Sequence, residues 1–343
     1  SGNRGQWIIN HIDDHAWQYM KYVADEELFL RGDKNEKQEA FQRLCTSKGL
    51  NIALDLLLKN YATFNPALRL KFINIIHRFS LDEDGLQILT AIKKLEKSSH
   101  NIGILNSIIY RSHFSDEYEM INEWGRTMYD ACVSAKKLYD LDFLHENYPV
   151  PDLNFQYGVD EEYLPLRNSI DQKRFFTAMT FINYEGWANH SDLKSFLKRI
   201  SQELIVAISL SAIRYKNEVL GDILLREYMV APTLILAVAP SRRYEYIDVL
   251  WSENDLQSNL LLMDLAFEEN NAKLNPQLQK KILKWLFENE LFIANNTIVE
   301  KCAIRIDMQT VVDIEKSLNQ SNESRSIFAK IKQMVSEIKK LAC

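Results

Sequence analysis

Apolar residues recur along this chain at the three-and-four spacing of a single helix face, with short polar breaks between the runs. Residues 48–95 show the pattern most fully. From Gly49 to Tyr61 the stripe is Leu50, Leu54, Leu57, Leu58 and Tyr61, widened by Ile52 and Leu56. Asn65-Pro66 then predicts a fresh start. An Asn side chain accepts from the free amides of a first turn, and Pro at the first helical position gives up an N–H that had no partner. The helix that follows sets Leu68, Phe72, Ile75, Ile76 and Phe79 on one face, with Arg69, Asn74 and Arg78 away from it. Ser80 and Glu83 have the spacing of a capping box, which predicts a third helix carrying Leu86, Leu89, Ile92 and Leu95. Turns of about 3–5 residues make consecutive helices antiparallel neighbours. Stripes this broad cannot be buried by one partner, so each helix is expected to need neighbours on both flanks.

The same reading extends over the rest of the chain. Residues 6–30 predict one long opening helix, and 33–45 a second, charged one. A short stripe at 101–112 precedes a longer helix over 116–138, capped by Ser115. The pattern then breaks at 148–165, where Pro149, Pro151 and Pro165 interrupt a mixture of aromatic and acidic residues. Helices resume over 171–184 and, after a turn at 184–187, over 192–215, where Glu203 interrupts an apolar middle. Residues 218–239 are apolar nearly all round and predict burial on every side, with Pro232 forced to kink or split the helix. Helices over 243–251 and 256–269 follow, then Asn275-Pro276, a capping box at Thr297 and Glu300, and closing helices over 307–318 and 326–341.

The segments NPALRLKFINIIHRF and NPQLQKKILKWLFEN share Asn-Pro-x-Leu-x-x-Lys and the apolar positions after it. That is a hint of internal repetition. With short capped turns and these two starts, the chain resembles the HEAT and armadillo class of helical repeats, best over 33–139 and less well over 171–305. The resemblance implies an all-α chain built as an α-solenoid of stacked antiparallel helix pairs with irregular repeats. The expected division is an N-terminal stack at 1–146, an irregular insert at 147–168 and a C-terminal stack at 169–343.

Composition supports the class. Hydrophobic residues make up 46% of 343, ample for a large core, while Gly (10) and Pro (7) are scarce, as an all-α chain requires. The net charge of −6 argues against a nucleic-acid surface, which shows a basic stripe. Basic doublets such as Arg242-Arg243 and Lys280-Lys281 are scattered and read as solvated helix faces. Cys45, Cys132, Cys302 and Cys343 lack metal-site or disulfide spacing, and Cys45 and Cys302 read as core residues. The longest uncharged run, 229–241, is too short to span a bilayer, which takes about 20 residues. The chain opens Ser-Gly, which reads as a trimmed start and leaves an upstream signal or membrane anchor open. A cytoplasmic setting is the expectation from the cysteines alone.

No Gly-rich phosphate loop, GxSxG or HExxH occurs. His11 and His15, at i and i+4 beside Asp14, are the one weak candidate for a metal, and no third ligand is evident. No cofactor is implied, and a small-molecule substrate is not expected. The leading expectation is a non-catalytic scaffold or adaptor that binds a peptide or partner protein on the concave face of a helical stack. Tyr148, Phe155, Tyr157, Asp160, Glu161, Glu162 and Tyr163 of the irregular insert, with Trp187, are the expected partner-binding residues, because aromatic-rich irregular segments make good anchors. The alternatives are an all-α enzyme such as a HEAT-like DNA glycosylase, using Trp124, Trp187, Trp251 or Trp285, and a membrane-anchored module.

Overall fold

The computed structural model describes residues 24–134, 139–153, 169–186, 190–228, 231–252, 255–268, 272–289, 297–318 and 331–336. Among them every regular element is helical. The one extended pairing is a single parallel bridge between Tyr139 and Ile200, closed by Tyr139 N–H to Arg199 O at 2.6 Å and Ser201 N–H to Tyr139 O at 2.9 Å. The chain divides into two compact units, Ser1–Ile121 with Pro151–Val159, and Asn122–Val150 with Asp160–Cys343.

The first unit is built from α1 (Asp25–Arg31), α2 (Lys34–Ser47), α3 (Leu50–Asn60), α4 (Pro66–Ile76), α5 (Glu83–Leu95) and α6 (Ser99–Tyr110), and it takes the start of α7 (Asp116–Ser134). Ala24 is extended and precedes its own helix start, so a single helix does not run through to Leu30. Asp33 and Glu36 form a reciprocal capping box at α2. Asn65 caps α4 as its sequence predicts, accepting from Leu68 N–H at 2.9 Å. The box expected at Ser80 is not formed. Asp82 is the cap of α5, because its carboxylate reaches the Gly85 amide at 2.8 Å and the Asn51 side-chain amide as well. Packing runs α2 on α3 and α4, α3 on α5, α4 on α6, and α5 on α6, so helices two apart in sequence lie side by side. Phe29, Phe41, Phe64 and Phe72 meet at the centre with ring centroids 4.9–5.6 Å apart.

The second unit contains the rest of α7, then α8 (Leu141–Asn147), α9 (Ile170–Met179), α10 (His190–Leu197), α11 (Gln202–Tyr215), α12 (Glu218–Glu227), 3-10 turns at Pro232–Ala237 and Pro240–Tyr246, α13 (Ile247–Leu250), α14 (Leu256–Phe267), α15 (Pro276–Glu288), α16 (Ile298–Arg305) and α17 (Met308–Leu318). Pro232 does split the apolar 218–239 run, and the turn it begins packs on α11, α12 and α14. The helix expected over 192–215 is two helices, and Glu203 lies in the first turn of α11, where a carboxylate suits the helix dipole. Thr297 makes no side-chain cap, because its backbone is already helical (φ −58°, ψ −17°).

Arginines close three helix C-termini of this unit. The Arg199 guanidinium donates to Cys132 O and Val133 O at the end of α7. Arg214 donates to Thr180 O after α9 and lies 3.9 Å over the Phe181 ring. Arg243 donates to Leu265 O and Glu268 O, and Arg305 to Phe267 O, so two arginines grip the end of α14. Last-turn carbonyls lack partners within their own helix, and a cation also suits that end of the dipole. Arg243 is therefore only 5% exposed, which corrects the expectation of a solvated Arg242-Arg243 face.

Candidate functional site

A recess in the first unit lies where α3 and α5 begin and the chain approaches α7. Gly49 (φ +99°) makes the turn from α2 into α3, a backbone region that favours glycine. Having no side chain, it leaves α3 without a side-chain cap. The Asp82 carboxylate then ties the two helix starts together, accepting from Asn51 Nδ2 at 2.9 and 3.0 Å while capping α5. This closeness requires Gly85, since a Cβ there would stand 2.8 Å from Asn51 Oδ1. The Gly85 amide, followed by the Asn51 side chain, holds the Asp82 carboxyl below its ordinary range.

Phe114 comes from the turn before α7. Ser115 fixes that turn as expected, its hydroxyl accepting from Tyr118 N–H at 3.0 Å and donating to Ile109 O at 2.9 Å. The resulting groove has a volume of about 520 Å³ and is lined by residues 48–52, 80–82 and Phe114. Leu81 is nearly buried at its floor, whereas Ile52 and Phe114 are 58% and 55% exposed. Single exposed apolar side chains are normal on a protein surface, and here two large ones line the same recess. Lys48, at one end, is paired with Glu26.

Two smaller grooves lie in the second unit. One of about 280 Å³ is lined by Leu260, Leu261 and Asp264 with Thr297 and Ile298. The other, of about 230 Å³, runs from Tyr184 to Val219 by way of Lys216. Each has one large exposed apolar side chain, Leu261 or Val219. Among the described residues a dense group of charges gathers at Arg226 and Arg242, which share Asp222 and Glu245, while Arg242 also pairs with Glu218. Burial and then the hydrogen bond to Asp222 push the Tyr246 hydroxyl up to about 12. These arginines are already met by carboxylates and present no unmatched charge to a ligand.

Of the partner-binding residues expected from sequence, Tyr148 is described. It closes α8, is half-buried, and its carbonyl accepts from the Trp124 indole at 3.3 Å. Phe155, Tyr157, Asp160, Glu161, Glu162, Tyr163 and Trp187 lie outside the described residues, as do His11, Asp14 and His15. Among the described residues Trp124 packs on Phe175 and Trp251 on Trp285, each pair with ring centroids 5.3 Å apart. Cys45 and Cys302 are core residues as read from sequence, and Cys132 joins them. Burial pushes the three thiols up, to about 12, 12 and 11 for Cys45, Cys302 and Cys132.

Among the described residues no group of three His, Cys, Asp or Glu is placed to hold a metal ion, and no helix is long and apolar enough to cross a membrane. The groove residues themselves carried a faint signal in the sequence. Ile52 falls off the main stripe of its helix, and Phe114 is a lone aromatic in a polar turn. No family model matches the chain, and no curated protein or solved structure matches it either.

Proposed function

We propose that the protein is a non-catalytic scaffold that holds a peptide or a segment of a partner protein in the groove between the starts of α3 and α5. The observation that carries this reading is the pair Ile52 and Phe114, each more than half exposed on one recess with an apolar floor. Side chains of this kind cost solvation free energy until a partner covers them. The next-but-one packing within each unit supports the finer assignment to stacked antiparallel pairs of HEAT or armadillo type, a class that works through extended binding surfaces. The docking surface proposed is the helix-start end of the first unit in place of a concave face.

The test is a selection from a random peptide library against the full chain and against an Ile52→Ser, Phe114→Ser double variant. Both residues are exposed, so the variant's thermal unfolding should stay within about 0.5 kcal/mol of the parent's stability. Peptides enriched on the parent should carry large apolar anchors and lose roughly 30-fold or more in affinity for the variant, as removal of anchor contacts predicts. Failure to enrich any peptide, or equal binding to both proteins, would refute the reading.

A further inference from the structure

Resting on that reading, the charges around the groove point to the chemistry of its occupant. The first turns of the two helices that follow its lining segments in sequence are acidic. Asp82 caps α5, Glu83 and Asp84 follow, and α7 begins with Asp116, Glu117 and Glu119. Asp82, Glu83, Asp84, Asp116 and Glu119 are exposed, and Glu117 is half-buried. The one cation lining the groove is Lys48, and Glu26 already neutralises it. Arg78 stands two residues before Ser80, and Arg111 three before Phe114, but Arg111 is turned to His77 O and Phe79 O at the end of α4.

Acids in a first turn have an ordinary purpose, which is to meet the positive end of a helix dipole. That purpose is too small to absorb these. With Glu26 there are seven carboxylates against three cations, and three helix starts add only about +1.5 charge. A surplus of roughly two to three negative charges remains on the groove-lining segments and the helix starts next to them in sequence. An acidic occupant would bring like charges together at the rim, which costs affinity and slows encounter.

We infer that the groove takes a short amphipathic segment of a partner protein whose apolar anchors are flanked by lysine or arginine. Ile52, Phe114 and the Leu81 floor hold the anchors. The carboxylates of the α5 and α7 first turns meet the flanking cations and select against acidic sequences. Because these acids are exposed or half-buried and only Asp82 lines the groove itself, their contribution is to encounter rate and choice of partner, and it weakens with salt.

The probes are three fluorescent peptides with the same leucine and phenylalanine anchors at helical spacing, whose outer positions are all Lys, all Gln or all Glu. Anisotropy titrations use the full chain at low and at physiological salt. The Lys peptide should bind at least about tenfold tighter than the Glu peptide at low salt, with the gap narrowing as salt rises. Neutralising Glu83→Gln, Asp84→Asn and Glu117→Gln, which leaves the Asp82 cap in place, should shrink the gap to about threefold or less. If the triple variant loses its helical signal, the single Glu117→Gln variant should still narrow the gap. A Glu peptide binding as well as the Lys peptide would overturn the inference while leaving the groove reading intact. Binding of all three peptides undiminished by the Ile52→Ser, Phe114→Ser variant would overturn both. Sedimentation showing that the groove closes on a second copy of this chain, with the double variant monomeric, would overturn the basic partner in favour of self-association.

Discussion

The two Asn-Pro helices, α4 and α15, begin alike and are then held in different ways. Each has its asparagine accepting from the amide three residues on at 2.9 Å, with proline at the first helical position. Four residues past the asparagine stands a long polar side chain, Arg69 in α4 and Gln279 in α15. Each reaches an acid 27 or 28 residues further along, Glu96 or Asp307, that lies just before a later helix. The polarity of the two joints is reversed. Glu96 has a fully buried carboxylate and Arg69 keeps 13% of its side chain exposed. Gln279 is 1% exposed, and the Asp307 side chain is 56% exposed.

The buried charge is tolerated because every oxygen is used. Glu96 accepts from Tyr61 OH at 2.5 Å, Asn101 Nδ2 at 3.0 Å, the Lys97 and Ser98 amides at 2.7 and 2.9 Å, and Arg69 Nη1 at 3.4 Å. Gln279 needs no counter-charge. It donates to Leu274 O at 2.7 Å and accepts from Asp307 N–H at 2.9 Å, bridging backbone to backbone. A neutral amide does the same positional work in the second unit without burying a charge. The lesson is that one joint can be built from either chemistry, and that the ionic version concentrates much more free energy in one side chain.

The largest expected effect follows from that. Glu96→Ala leaves the Arg69 guanidinium without its counter-charge, held only by the Tyr61 and Ala62 carbonyls, and removes the acceptor of four other buried or half-buried donors, so it should cost about 3–5 kcal/mol. Asp307→Ala removes an exposed carboxylate and should cost under about 1 kcal/mol. Hydrogen exchange of the α4 and α6 amides for the first variant, and of the α15 amides for the second, reads each joint in its own unit. Equal costs would break the comparison, because burial would then not be what separates the two acids.

A pH titration sharpens it further. Burial alone would raise the Glu96 carboxyl, but the Ser98 amide, the Tyr61 hydroxyl, Asn101 and the Lys97 amide outweigh it and hold the group at about 2 against an ordinary 4.5. A carboxyl held down in the folded state stabilises that state fully above its unfolded pKa. The stabilisation is then lost as pH falls through the folded value. The window is therefore pH 4.5 down to about 2, and the loss is about 3 kcal/mol. Urea unfolding followed by α4–α6 exchange should show this slope, and Glu96→Gln should flatten it. A slope unchanged by Glu96→Gln would assign acid sensitivity to other carboxylates, such as the Asp33 and Asp222 groups that are also held low.

What the sequence revealed and what it hid divide along the same line. The Asn-Pro starts were legible because a cap acts over three residues. The stripe of α4 was legible because helical period fixes a face, and Leu68, Phe72, Ile75 and Ile76 are all buried. Arg69 was read as lying away from that face, yet it is held over the Tyr61 ring at 4.8 Å. Glu96 sits in Lys-Leu-Glu-Lys-Ser, a local context that reads as solvated, and its partners Tyr61 and Arg69 are 35 and 27 residues away. The arginine clamps on helix C-termini, spanning 34 residues for Arg214 and 38 for Arg305, were hidden for the same reason. The Ser80 box failed for a different reason, competition within one turn. Asp82 offers two charged oxygens where Ser80 offers one hydroxyl, and it caps the Gly85 amide at 2.8 Å, which starts the helix two residues later than the Ser80 box would. Groove formation at Ile52 and Phe114 depends on three segments meeting, which no single window of sequence contains.

The smallest effect isolates what the two helices share. Asn65→Ala and Asn275→Ala each remove one side-chain acceptor at 2.9 Å from a first-turn amide, and each should cost about 1 kcal/mol. Proline stays at the next position in both, so the backbone entering the helix is equally constrained and the substitution reports the cap alone. The Asn65 cap adjoins Pro66, whose carbonyl also accepts from Asn101 at 3.3 Å, and Asn101 in turn reaches Glu96. If the caps are independent of the joints behind them, the double variant Asn65→Ala, Glu96→Ala should cost the sum of its parts within about 0.5 kcal/mol. Coupling well beyond that in α4, with additivity for Asn275→Ala, Asp307→Ala in α15, would show that the ionic joint has recruited its helix start into one cooperative network.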